Sequence, residues 1–106
     1  MLTIKETPLF IQYIDGILSE EERLEFISWL AKDPFAGEVI TETGGLRKVR
    51  WSRRGTGKSG GLRIIYYNVL KDGEIWLLIA YTKSKFDTLP KKFLRALLKE
   101  MTNGNG

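Results

Sequence analysis

Eight lysine and arginine residues, and no aspartate or glutamate, lie between Gly44 and Lys71 of this chain of 106 residues. The acidic residues are concentrated before this segment, since residues 1–43 hold nine of the 13 in the chain, against three basic residues. Ordinary protein surfaces intersperse both signs of charge. Unopposed positive charge attracts polyanions, so nucleic acid is the first partner to consider.

Arg63 is the residue of this segment best suited to act on a phosphate group. It lies in the run Leu62–Tyr67, whose other members are all apolar or aromatic. A guanidinium near the interior of a sheet needs an anionic partner or a wet cleft, and its planar, permanently charged fork matches phosphate oxygens. A structural salt bridge to an acidic residue of the preceding helices is the alternative role.

Other side chains are candidates for proton transfer or for binding nucleic acid. Nearby cations favour the neutral form of a lysine, so Lys48, Lys58 and Lys83 are candidate general bases or acids, and Tyr67 on the strand face of Arg63 is a further one. The chain has no histidine and no cysteine, so any catalysis in the basic segment is expected to use no metal and no cofactor. Lys58 and the remaining cations of the region are expected to contact RNA phosphates, and the alternative is that they form an ordinary solvated surface. The set is Arg47, Arg50, Arg53, Arg54, Lys58 and Lys85.

The segment Gly55–Ser59 resembles the end of a nucleotide-binding P-loop, but the pattern fails. Ser52 stands where that motif requires glycine, and two further glycines and a strand follow where a helix is needed. The sequence therefore predicts a basic loop, and no NTPase site.

The periodicity of the apolar residues predicts an α+β domain with helices packed on an antiparallel sheet. Ser19 to Glu22 reads as a capping box, and Lys71 to Gly73 reads as a hairpin turn. We expect a single domain over residues 1–106, with a frayed tail at 103–106. The predicted elements are a strand at 2–6, helices at 8–18 and 19–32, strands at 46–53, 62–70 and 74–81, and a last helix from 90 to 101.

The N-terminal residues lack the charged start and long apolar run of a signal peptide, and no apolar run approaches the length of a membrane span. We therefore expect a soluble, cytoplasmic protein with no membrane partner.

Three segments together resemble the RelE superfamily of toxins, in its HigB-like branch of type II toxin–antitoxin systems. They begin with Gly44-Gly-Leu-Arg-Lys-Val-Arg, continue with Gly57-Lys-Ser-Gly-Gly-Leu-Arg-Ile-Ile-Tyr-Tyr, and end with Leu78-Ile-Ala-Tyr-Thr-Lys. The likeness covers roughly residues 8–101. It implies a small twisted antiparallel sheet with two N-terminal helices and one C-terminal helix. The implied activity is mRNA cleavage, usually on the ribosome, by metal-independent attack of the ribose 2′-hydroxyl on the adjacent phosphate.

The resemblance also assigns expected roles to residues and partners. Arg63 stands where the family keeps an arginine, Lys48 and Arg50 where it has paired basic residues, and Lys83 where a lysine or arginine is usual. Some RelE-type toxins have a tyrosine after the third main strand, where this chain has Phe86 and Leu89. The implied partner is a cognate antitoxin, often a helix-turn-helix protein, through which alone the toxin would meet operator DNA. A non-catalytic RNA- or DNA-binding module on the same fold is the alternative function.

Overall fold

The structure, a computed structural model, describes residues 2–51, 61–83, 85–86 and 88–103. Most of the predicted basic loop, with Arg54 and Lys58, lies outside these residues. So do Arg53, at the end of the predicted strand at 46–53, and the end of the predicted tail. The described elements are β1 (Thr3–Glu6), α1 (Pro8–Ile14), α2 (Glu20–Lys32), β2 (Glu38–Val39), β3 (Arg47–Trp51), β4 (Leu62–Val69), β5 (Glu74–Thr82) and α3 (Lys91–Asn103).

The five strands form one sheet in the order β1-β5-β4-β3-β2. This confirms the predicted α+β class, with one departure: β1 pairs with β5 in parallel, so the sheet is mixed. Sequence periodicity did not identify β2, which is only two residues long and has both residues exposed. The predicted hairpin turn is one turn of 3-10 helix at Leu70–Asp72, closed by Gly73 at φ 69°.

Local signals account for the starts of both N-terminal helices. Thr7 caps α1 by accepting a hydrogen bond from the backbone N–H of Phe10, and Pro8 follows at the position where a missing N–H costs nothing. The predicted capping box of α2 is confirmed, because Ser19 and Glu22 exchange side-chain and backbone hydrogen bonds at 3.1 and 2.9 Å. Helix α1 is shorter than expected, ending at Ile14.

The sheet is covered on both faces, as the apolar composition of β4 and β5 predicts. On one face Ile64 and Tyr66 of β4 pack with Phe26 and Leu30 of α2. On the other face Ile65 packs in a second cluster with residues of α3 and of the segment before it: Leu89, Leu94, Leu97, Leu98 and Met101. We call this second side the α3 face. Among the described residues no helix is long and apolar enough to cross a membrane.

A β-bulge in β5 changes which side chains of that strand lie on the α3 face. Ile65 pairs with Ile79, but Tyr66 pairs with Leu77, so Leu78 is an extra residue opposite β4. Before the bulge, Ile75 and Leu77 lie on the face of the sheet that packs against α2. After it, Ile79 and Tyr81 lie on the α3 face. The bulge therefore turns the odd-numbered residues of β5 to the opposite side of the sheet.

Candidate functional site

Three polar side chains form a row across neighbouring strands on the α3 face. Arg50 of β3 is directly opposite Arg63 of β4, and Arg63 is directly opposite Tyr81 of β5. Residues directly opposite in antiparallel strands share one face, with Cβ atoms about 4.5–5.5 Å apart. Like charges in such a pair repel, so an anion bound beside these two arginines would relieve an unfavourable interaction.

Arg63 is the buried member of this row. Its side chain is only 7% exposed, whereas Arg50 is exposed. One terminal nitrogen of Arg63 donates a hydrogen bond to the carbonyl oxygen of Gly61 at 3.0 Å. The backbone N–H of Lys83 donates to the same oxygen at 3.3 Å, so Gly61 joins the end of β5 to the guanidinium. Within the part of the chain that the structure describes, Arg63 forms no ion pair, which leaves the alternative of a structural salt bridge without support.

Lys48 lies two residues from Arg50 on β3 and therefore on the same face. It lines a cavity of about 270 Å³ with Tyr81, above an apolar floor that includes Ile65, Leu89 and Leu94. Glu38 of β2 is opposite Lys48 in register, but these two side chains form no ion pair.

Lys91 forms the far rim of this cavity and is a residue that sequence analysis did not single out. Its ammonium donates to the hydroxyl of Thr41 at 2.8 Å and pairs with the carboxylate of Glu42 at 3.0 Å. The hydrogen bond from Lys91 and its charge hold the pKa of Glu42 below its ordinary value. Arg95 donates to the backbone carbonyl of Glu42, so both cations tie the segment before β3 to α3.

Lys83 and Lys85 follow β5 and are both exposed. Lys83 is next to the Arg63 row through its backbone bond to Gly61. Lys85 extends toward α1 instead, with its ammonium 5.4 Å from the ring centre of Tyr13. It lines a second cavity of about 360 Å³, of which Tyr81 forms a shared wall. The structure thus places Lys48 and Lys85 on opposite sides of Tyr81.

Two predicted site residues are not brought together with Arg63. Arg47 points to the opposite face of the sheet, where it donates to the carbonyl oxygen of Gly37 at 2.7 Å and lies 4.9 Å from the ring centre of Phe35. Tyr67 is on the face of Arg63, as predicted, but four residues along the strand, or roughly 13 Å away. It packs with the cluster beneath α3 and is paired with Trp76.

Tyr81 is the aromatic residue directly beside Arg63, a position that the sequence pattern alone did not reveal. Its ring is 2% exposed and packs edge-on against Phe86, with ring centres 6.1 Å apart. Burial raises the pKa of Tyr81 above its ordinary value of 10, and the charge of Arg63 opposes that shift only in part. Its hydroxyl therefore keeps its proton at neutral pH and can donate a hydrogen bond.

The described part of the site offers cations and a phenol to a substrate, and its chemistry follows from that set. Among these residues there is no cluster of three or more aspartate, glutamate, histidine or cysteine side chains. A buried, permanently charged guanidinium suits the stabilisation of charge on a phosphate oxygen, and the lysine amines suit proton transfer. The arrangement therefore fits a phosphodiester better than a neutral substrate.

No protein-family model matches the sequence. The fold is similar to that of the E. coli toxin RelE, solved in the free state as a variant with two arginines changed to alanine. The TM-score is 0.56, and the alignment covers 81% of this chain and 87% of the RelE chain at 11% sequence identity. This similarity establishes a RelE-like fold for the chain.

Proposed function

We propose that this chain is the toxin of a type II toxin–antitoxin system, in the HigB-like branch, and that it cleaves mRNA on the ribosome without a metal. The observation that carries the proposal is the row formed by Arg50, Arg63 and Tyr81. A surface that merely attracts nucleic acid needs exposed cations alone. A guanidinium that is 7% exposed and faces a buried phenol is instead suited to one fixed phosphate group.

The proposed reaction is attack of the ribose 2′-hydroxyl on the adjacent phosphate. A bond forms between O2′ and phosphorus, and the bond between phosphorus and O5′ breaks. The products are a 2′,3′-cyclic phosphate and a 5′-hydroxyl. Arg63 stabilises the charge that develops on the non-bridging oxygens.

Proton transfer falls to the lysines around this row. Lys48 and Lys83 lie on its two sides, on β3 and after β5, so one can accept the proton of O2′ while the other donates to O5′. Lys58 remains a further candidate from the sequence. Arg50 and Lys85 are exposed and would hold neighbouring phosphates of the RNA.

Ribosome dependence follows from the modest set of catalytic groups. With no histidine in the chain, the general base is a lysine or a tyrosine, and neither is well matched to neutral pH. Orientation of the mRNA by the ribosome would then supply much of the rate enhancement.

The proposed partner in the cell is a cognate antitoxin, with a helix-turn-helix protein as the expected type. The acidic surface of α2 carries Glu20, Glu21 and Glu22 in its first turn, and it would attract a basic DNA-binding protein. In this arrangement the toxin would meet operator DNA only through the antitoxin.

The test is cleavage of a defined mRNA by the purified chain, with and without ribosomes. We expect cleavage only on ribosomes, persistence in excess EDTA while the ribosomes remain intact, and 5′ fragments that end in a 2′,3′-cyclic phosphate or 3′-phosphate. Fragments with 3′-hydroxyl ends would indicate metal-assisted hydrolysis and would contradict the proposed chemistry. Tight binding to RNA or DNA with no cleavage under any of these conditions would favour the non-catalytic binding module.

A further inference from the structure

We propose that the hydroxyl of Tyr81 donates a hydrogen bond to a non-bridging oxygen of the phosphate held by Arg63, which makes Tyr81 a catalytic residue. The inference rests on the proposed function and adds to it a group that the sequence analysis did not assign. The nearest expectation from the sequence was Tyr67, which lies roughly 13 Å from Arg63 along β4.

Tyr81 lies beside Arg63 in the folded sheet. Tyr81 is paired directly with Arg63 across β4 and β5, and it lines the cavity that Lys48 also lines. Burial raises the pKa of Tyr81, and the charge of Arg63 lowers it by a smaller amount, as expected for two neighbouring groups. The phenol therefore borders the cavity on one side and is the cross-strand neighbour of Arg63 on the same face of the sheet.

The β-bulge in β5 places the side chain of Tyr81 on the α3 face. Without the extra residue Leu78, Tyr81 would lie on the side of Ile75 and Leu77, facing α2. Bulges of this kind commonly re-aim a side chain next to an active site. Here the extra residue moves Tyr81 from the side of the sheet that packs on α2 to the α3 face, where it lies beside Arg63.

A polar side chain from outside the sheet stabilises this bulge. The hydroxyl of Thr7, the cap of α1, lies 2.8 Å from the carbonyl oxygen of Leu77 and 3.2 Å from that of Leu78. The backbone N–H of Thr7 also donates to Leu77 at 3.2 Å. Both carbonyls at the irregular point of β5 therefore have partners, so the bulge is a stable part of the fold.

Chemistry sets the role of the phenol. A tyrosine of ordinary pKa is already protonated at neutral pH and burial raises the pKa of Tyr81 further, so its hydroxyl is a donor and a poor general base. A donor aimed at an oxygen that gains charge in the transition state lowers the barrier more than it strengthens substrate binding. Loss of this hydroxyl should therefore act on kcat and leave KM nearly unchanged.

The experiment compares two single substitutions in the full chain, assayed on ribosomes programmed with a defined mRNA. Tyr81→Phe keeps the ring against Phe86 and removes only the hydroxyl. Tyr66→Phe is the control for loss of a buried hydroxyl on the opposite face of the sheet. Circular dichroism and a thermal melt establish that each variant is folded.

We expect Tyr81→Phe to lower kcat by about 10–100-fold with KM within about twofold and with the shape of the pH–rate profile unchanged. The Tyr66→Phe control should stay within about threefold of the original chain. Full activity of Tyr81→Phe, a change confined to KM, or loss of one limb of the pH profile would each overturn the assignment. If the unsubstituted chain cleaves no mRNA, the proposed function itself is wrong. If the unsubstituted chain and Tyr81→Phe are equally active, only the role of Tyr81 is wrong.

Discussion

Replacing Arg63 by alanine should reduce ribosome-dependent mRNA cleavage by about 10²–10³-fold while the protein stays folded. At an effective dielectric constant of about 20, two unit charges about 4 Å apart interact by about 4 kcal/mol, which corresponds to roughly 10³ in rate if it is expressed in the transition state. Removal of a single donor from an oxyanion site typically costs about 10²–10³ in kcat. The 7% exposure of Arg63 justifies the lower dielectric constant, because water cannot surround its guanidinium.

The folding cost of this substitution should be small. The side chain gives up one hydrogen bond to Gly61, whose carbonyl keeps the N–H of Lys83 as a donor. A typical hydrogen bond contributes about 1 kcal/mol net, and removal of a buried cation also removes its desolvation penalty. The melting temperature should therefore fall by no more than about 8 °C.

Arg50 provides a matched control, since it carries the same charge in the same cross-strand row but is exposed. Its contact with phosphate is screened by water and salt, so Arg50→Ala should lower the rate by less than about tenfold. Single-turnover cleavage on programmed ribosomes measures both variants, and circular dichroism checks their folding. Equal losses for Arg50→Ala and Arg63→Ala, or a folded Arg63→Ala variant with full activity, would refute the reasoning from burial.

Two further predictions concern the packing around the site and the packing on the opposite face of the sheet, and Gly73→Ala serves as a control for the first. A Cβ at Gly61 would lie 3.0 Å from a guanidinium nitrogen of Arg63. Gly61→Ala should therefore shift that group by a few tenths of an ångström and lower cleavage about tenfold in a folded protein. In the control Gly73→Ala, the backbone is strained at φ 69° and the added Cβ would meet no atom within 4 Å, so stability should fall without a loss of cleavage. Unchanged cleavage by Gly61→Ala would show that the guanidinium tolerates the displacement. Tyr66→Phe leaves the buried N–H of Gly37 without its acceptor and should cost about 1–3 kcal/mol in a denaturant melt. Burial raises the pKa of Tyr66 above its ordinary value of 10, so this tyrosine ionises at lower pH in the unfolded chain than in the folded protein. The free energy of unfolding should therefore fall as pH rises above about 10, and it should fall less steeply in Tyr66→Phe. Equal slopes for the two proteins would show that other groups cause the loss of stability at alkaline pH.

Local physics made much of this fold predictable from the sequence. The cap at Thr7 and the capping box at Ser19 depend on hydrogen bonds within four residues, so they are visible in the chain itself. The strands β4 and β5 are apolar on both faces because helices cover both sides of the sheet. Arg63 stood out for the same reason, as a single cation within one of these apolar runs.

Other features were beyond the reach of local patterns. The parallel pairing of β1 depends on the chain returning to β5 some seventy residues later, and β2 is too short to show any period. Strand alternation separated Arg47 from Lys48 and Arg50, but only the packing of the helices shows that Arg47 lies against Gly37 and Phe35 on the opposite face.

By itself, the sequence determined the charge of the basic segment, the class of the fold and the candidacy of Arg63, because composition and short-range periodicity carry that information. Only the tertiary structure decided which side chains meet Arg63. A strict two-residue period predicts that Ile75, Leu77 and Tyr81 share one face, and the single extra residue at Leu78 cancels that prediction. The bulge depends on pairing between β4 and β5 and on hydrogen bonds from the cap of α1, and these contacts exist only once the chain has folded.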